Sequence, residues 1–250
     1  MNRVVRSSRT RLAAKPSAIR IVCISDTHGQ HRQLKVPLGD ILIHAGDFML
    51  SGRRLEEIVD FDGWLGNLPH PQKIVVAGNH DLLFEAYPEM AQGRLKNATY
   101  LENSGAEILG LHFWGSPVQP SFSNWAFNVD RGAAIRRYWA GIPKGTDVII
   151  IHGPPFGTLD KKDILSPHLG CEKLTKAVAK LEPQLQCFRA HSRRLWSRDG
   201  LEKDPVHKLC GIERGVCSSQ CPYHHRYPTV GASGAACKVE GCSATILTVN

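Results

Sequence analysis

The stretch IVCISDTH, residues 21–28, runs through four apolar residues and ends on Asp26 and His28, a carboxylate and an imidazole two positions apart. A short apolar run rich in β-branched residues reads as a strand buried on both faces. The same ending recurs down the chain. ILIHAGDF (41–48) leads to Asp47, IVVAGNHD (74–81) to Asn79, His80 and Asp81, and VIIIHGPP (148–155) to His152. Taken singly, a strand-terminal Asp is a turn former and a lone His is a hydrogen-bonded core or surface residue. Four such endings in order point to donors gathered at the C-terminal edge of strands, where open α/β sheets place their sites.

The segments around these endings alternate in kind. IRIVCIS, DILIHA, QKIVVA, TDVIII and QLQCF predict five buried strands, all between residues 19 and 188. RRLEEIVDFDGWLGNL (53–68) and GCEKLTKAVAKLE (170–182) place apolar residues three and four apart and predict helices. EILGLHFWGSP (107–117) predicts a further strand pair that extends a second sheet. The expected class is α/β, with one layered domain over residues 18–188. Residues 1–17 read as a basic arm, with an organelle transit peptide as the alternative. Residues 189–250 read as an irregular Cys/Arg-rich tail, in which no period of 2 or 3.6 persists.

Composition narrows the class. The chain has 250 residues, 42% hydrophobic, with a formal net charge of +8. That length allows one sizeable core. No apolar run approaches the roughly 20 residues a membrane helix needs, so the expectation is a soluble, cytoplasmic protein with no membrane partner. The positive charge does not mark a nucleic-acid surface, because it sits at the ends. Residues 1–20 hold six basic and no acidic residues, 189–250 nine and five, and 21–188 sixteen and eighteen.

Asp, His and Asn donors without Cys form a mixed hard and borderline set suited to Mn, Fe, Zn or Mg. Two such divalent ions bridged by a carboxylate clamp a phosphate and acidify a shared water. Asp47 is the natural bridge. Gly46 and Gly78 stand at tight turns before ligands, where a missing Cβ lets backbone approach the ions.

The order D-x-H, G-D, G-N-H-D and H-G-P-P resembles the calcineurin-like metallophosphoesterases over residues 19–188. WGSPVQPSFSNWAFN (114–128) is further similar to a loop of the branch holding the brain metallophosphoesterase-domain proteins, which is linked to cyclic nucleotide phosphodiester hydrolysis. The resemblance implies a metallophosphoesterase fold, a two-layer β-sandwich flanked by helices, acting on a small phosphoester or cyclic nucleotide. It implies that Asp26, His28 and Asp47 hold one metal, and that Asp47, Asn79 and His152 hold the other. His80, paired with Asp81, would protonate the leaving oxygen or stabilise charge on the phosphoryl group. Trp114 and Trp125 in the loop are equally open to base stacking and to packing.

That family closes its site with G-H-x-H after one more strand. Here QLQCF is followed by Arg189, Ala190, His191 and Ser192, so the two ligand positions hold Ala190 and Ser192. Strand alternation sends His191 to the opposite face. A shifted reading frame accounts for this. Back-translation of FRAHSRRLWS (188–197), read from the second base of the Arg189 codon, permits triplets spelling Gly-His-Ile-His-Glu-Gly-Tyr-Gly. On this reading residues 189–250 are an out-of-frame product, and hydrolysis by the literal chain is weak at best. One alternative is the same fold keeping only phosphate or nucleotide binding. Another is a zinc-binding basic tail on nucleic acid, drawn from Cys210, Cys217, Cys221, His224, His225, Cys237 and Cys242; their spacing fits no regular zinc module.

Overall fold

The computed structural model describes residues 18–161 and 165–190, together with the backbone of three later strands at 209–213, 236–239 and 242–249. The expectations placed on residues 1–17 and on the tail's zinc donors fall outside the described residues and side chains, as do the side chains of Ala190, His191 and Ser192.

In chain order the strands are β1 (Ile19–Ile24), β2 (Ile41–Ala45), β3 (Gln72–Val76), β4 (Thr99–Tyr100), β5 (Ser104–Ile108), β6 (Leu111–Ser116), β7 (Gln119–Pro120), β8 (Asn128–Val129), β9 (Val148–Ile151), β10 (Leu185–Ala190), β11 (Leu209–Glu213), β12 (Ala236–Val239) and β13 (Cys242–Val249). The helices are α1 (Leu55–Gly66), α2 (Leu82–Ala86), α3 (Pro88–Gln92), α4 (Ala133–Ala140) and α5 (Glu172–Leu181). One sheet has the order β12-β13-β1-β2-β3-β4, the other β11-β10-β9-β6-β5. From β1 to β4, and from β6 through β9 and β10 to β11, neighbours run parallel; β5 is antiparallel to β6, and β13 to β1.

Three apolar layers hold this together, and strand alternation decides which residue enters which. Ile19, Ile21 and Cys23 of β1, Ile41, Ile43 and Ala45 of β2, Ile74 and Val76 of β3, Val148 and Ile150 of β9, and Leu185 and Cys187 of β10 fill the space between the sheets. The intervening residues Val22, Ile24, Leu42 and Val75 face outward, against Ile58, Phe61 and Leu65 of α1 and Phe84 of α2. On the second sheet Ile149 and Ile151 pack against Ile135 and Trp139 of α4 and Leu174 and Val178 of α5. Each fully buried Ile or Leu contributes roughly 1.5–3 kcal/mol. Truncating a central one such as Ile43 to Ala removes about 2–5 kcal/mol.

The architecture is the two-layer sandwich flanked by helices that the sequence led us to expect, and the five strands and two helices fall where the pattern put them. Helix α4 was not foreseen. In the tail, where no strand period was legible, β11 extends the second sheet beside β10, and β13 pairs with β1 over six residues, Ile19↔Val249 to Ile24↔Ala244. Among the described residues no helix is long and apolar enough to cross a membrane.

Candidate functional site

The loops after β1, β2, β3 and β9 bring Asp26, His28, Asp47, Asn79, His80 and His152 into one pocket. The backbone there is strained. Asp26, His28 and Asp47 have φ of 56°, 42° and 59°, a left-handed region that costs a non-glycine residue on the order of 1–2 kcal/mol. Such outliers concentrate at functional sites, where surrounding structure holds them. Here the holding bonds are Asp26 N–H to Gly46 O at 2.9 Å and His28 N–H to Asp47 O at 3.0 Å, which zip the first two loops together. The two glycines make room. A Cβ on Gly78 would lie 2.4 Å from Asp47 Oδ1, and one on Gly46 would lie 2.6 Å from His152 Nδ1.

One side of the pocket faces solvent. His28 Nε2 stands 3.8 Å from Asp26 Oδ1 and 3.8 Å from Asp47 Oδ2. The His28 and His80 rings meet edge to face at 4.6 Å, and Trp125 stacks on His80 at 4.1 Å. Donor atoms of His28, Asp47 and His80 all lie within 4.8 Å of one another. Burial lowers the His80 pKa, against the Asp47 charge, which acts to raise it. The ring the family resemblance implied as acid or charge stabiliser thus stands at the open side, beside His28 and Asp47.

The other side is closed. His152 Nδ1 donates to the Ala45 carbonyl at 2.8 Å, which aims Nε2 at Asn79 Oδ1 (3.1 Å) and Asp47 Oδ2 (3.4 Å). A backbone carbonyl behind a ligand histidine is the usual device for fixing its orientation. Burial is the largest influence on the His152 pKa and acts to lower it, but the Asp47 charge, the contact with Asp47 and the Asp26 charge together leave it raised. Reciprocally, burial pushes the Asp47 carboxyl up, while His152, reinforced by Arg189, drives it well below the carboxylate range.

Arg189, at the end of β10, reaches in between the two sides. Its Nε lies 2.8 Å from Asp26 Oδ1, and its Nη1 lies 3.5 Å from both Asp47 Oδ2 and Asn79 Oδ1. The short Nε contact is ionic rather than hydrogen-bonded, because the N–H has no acceptor in line. The sequence reading took Arg189 only as one of the basic residues after the last core strand. A signal was present: it keeps phase with Leu185 and Cys187, which point between the sheets.

Asp81 does not pair with His80. Its Oδ2 accepts the backbone N–H of Asp47 at 2.9 Å and of Gly78 at 2.7 Å, and its Oδ1 accepts that of Met49 at 2.9 Å. The family resemblance implied the pair, but the carboxylate turns inward and joins the β2 and β3 loops. Desolvation, with the nearby Asp47 charge, pushes its pKa up to about 7. Trp114 is likewise settled as packing: it is buried and meets Trp139 edge to face.

The donor set fits a divalent cation on the open side. His28, Asp47 and His80 present donor atoms within 4.8 Å of one another, and Asp47 Oδ2, buried without a hydrogen bond, is balanced by charges, His152 Nε2 at 3.4 Å and Arg189 Nη1 at 3.5 Å. On the closed side the Asn79, His152 and Asp47 donors fit an ion by type, but the Arg189 guanidinium stands against them.

Residues 19–194 match the family described as Calcineurin-like phosphoesterase. Metallophosphoesterase domain-containing protein 1 of Homo sapiens and that of Mus musculus are each 39% identical over 197 residues, covering 69% of this chain and 60% of theirs. A UPF0046 protein of Caenorhabditis elegans is 36% identical over 184 residues, covering 68% of this chain and 62% of its own length. The chain thus spans less than two thirds of the length of these relatives. A solved crystal structure with 16% identity superposes with a TM-score of 0.51 over 68% of this chain and 83% of its own, a likeness of fold alone.

Proposed function

The chain belongs to the calcineurin-like phosphoesterase family, and from that premise we propose that it hydrolyses a small phosphodiester of the cyclic nucleotide type in the cytoplasm. The observation that carries this reading is the convergence of His28, Asp47 and His80 donor atoms within 4.8 Å, with Asp26 3.8 Å from His28. Asp26, His28, Asp47 and His80 would hold a divalent ion on the open side; Asn79 and His152 offer donors on the other side, where Arg189 stands. A divalent cation bound there would supply Lewis acidity toward the phosphoryl oxygens and acidify a water for in-line attack.

The chain's own groups do the positioning. The Ala45 carbonyl fixes the His152 ring with Nε2 toward Asn79 and Asp47. Trp125 covers His80 and offers the indole face on which a base would stack, an interaction worth about 1–3 kcal/mol. A second reading, binding of a phosphate or nucleotide without turnover, is favoured by the guanidinium already in the pocket.

The test is metal-dependent hydrolysis of bis(p-nitrophenyl) phosphate by the full 250-residue protein with Mn²⁺, alongside binding of a cyclic nucleotide. Slow release that a chelator abolishes supports hydrolysis. Nucleotide binding with no metal-dependent release supports the second reading. Neither activity removes both.

A further inference from the structure

We propose that Arg189 is a built-in cation of the site: its guanidinium, set among Asp26, Asp47 and Asn79, takes the place of a second divalent ion, so this chain binds one ion, on the His28 side. The proposal rests on the phosphoesterase reading for the presence of that first ion.

Asp26 and Asp47 are 2% and 0% exposed and lie in one pocket. Two buried carboxylates so placed require positive charge, because an uncompensated buried charge costs several kcal/mol in desolvation. Arg189 supplies it from inside the fold. The side chain is also anchored rather than loose. Its backbone N–H donates to His152 O at 3.0 Å, and β10 is registered against β9 through Leu185↔Val148 and Cys187↔Ile150. Its own alternation, in phase with the residues between the sheets, aims it at the site.

The distances explain why ion and guanidinium exclude one another on the closed side. An ion there would draw carboxylate, amide and imidazole donors in to roughly 2.0–2.2 Å. Arg189 Nη1 instead stands 3.5 Å from both Asp47 Oδ2 and Asn79 Oδ1, filling the approach to them. Arginine keeps its proton at any physiological pH, so acid or base cannot expel it. Its planar donors remain suited to phosphate oxygens, but it brings a single charge and no coordination sites.

The experiment is Mn²⁺ titration of the full chain by calorimetry, with bound metal counted by elemental analysis, for wild type, Arg189→Met and Arg189→Lys. One ion per wild-type chain and two per R189M chain are expected, with R189K remaining at one. R189M should melt roughly 10 °C lower than wild type in chelator and recover in Mn²⁺. A purely structural role would give a loss that metal does not reverse. If R189M does not fold, Arg189→Gln, which keeps length and polarity without the charge, replaces it. Two ions on the wild type, or no gain of ion and no metal rescue in the uncharged variant, would overturn the proposal while leaving the phosphoesterase reading intact. No ion on any variant would overturn both.

Discussion

The two sides of this pocket share Asp47 and are built alike from strand ends, yet their charges are balanced differently. On the His28 side the donors stand apart and partly open to water, with His28 Nε2 3.8 Å from both Asp26 and Asp47. On the His152 side the donors touch one another, and a guanidinium from β10, anchored at Asp26, extends its Nη1 over Asp47 and Asn79. A site poised for an exogenous cation and one neutralised by the chain's own cation can therefore sit a few ångströms apart. What separates them is whether a strand in phase with the core ends on a basic side chain.

Asp47→Asn breaks the comparison outright, since it removes the charge both sides use. It leaves Oδ1 able to accept the His80 backbone N–H at 2.8 Å, so the loop can persist. Metal affinity and any metal-dependent hydrolysis should fall by more than the roughly 100-fold that marks the upper range for losing a partner behind a ligand. Calorimetric titration with Mn²⁺ and initial rates would measure this. Unchanged affinity would mean that the pocket's charge lies elsewhere.

Asp81→Ala tests the strut between the two sides. It would strand the buried N–H groups of Asp47, Met49 and Gly78. At about 1–3 kcal/mol for each orphaned buried donor, with partial relaxation, the loss should be about 3 kcal/mol in urea unfolding. Asp81→Asn, which keeps an acceptor oxygen, should lose less. Equal and small losses for both would return Asp81 to the reactive groups.

These two aspartates show what a sequence can disclose about a site. Strands were legible because runs such as VIII and ILIHA are buried on both faces, and such runs have few other readings. The donors were legible because each ends one of those strands. Direction was not legible. Asp81 follows His80 in the chain, but its carboxylate points to the backbone of the β2 loop. Arg189 follows a core strand, where an arginine ordinarily marks the start of solvent. Only its phase with Cys187 places it in the pocket. Helix α4 was hidden because AAIRRYWA buries only Ile135 and Trp139, four residues apart, too sparse a stripe to stand out. The strands β11 to β13 were hidden because their segments are embedded in Gly, Ser and Cys with no sustained alternation.

The smallest expected effect concerns the support beneath the open side. His44 Nε2 lies 3.1 Å from Thr27 Oγ1, and Thr27 sits between Asp26 and His28. Burial lowers the His44 pKa from 6.5 to about 3. The folded state therefore keeps this ring neutral while the unfolded chain takes up a proton below about pH 6.5. The stability tied to neutral His44 is complete above 6.5 and drains away as the pH falls toward 3. Between pH 7 and pH 5 that amounts to about 2 kcal/mol. His31 and His70, also lowered by burial, act in the same direction, and raised His152 opposes them, so only a difference between proteins isolates His44. His44→Gln should unfold more readily than wild type at pH 7, where the Thr27 contact is lost, and show a shallower fall to pH 5. If both proteins lose the same stability over that interval, the ring is charged in the fold and the open side is held by something other than His44.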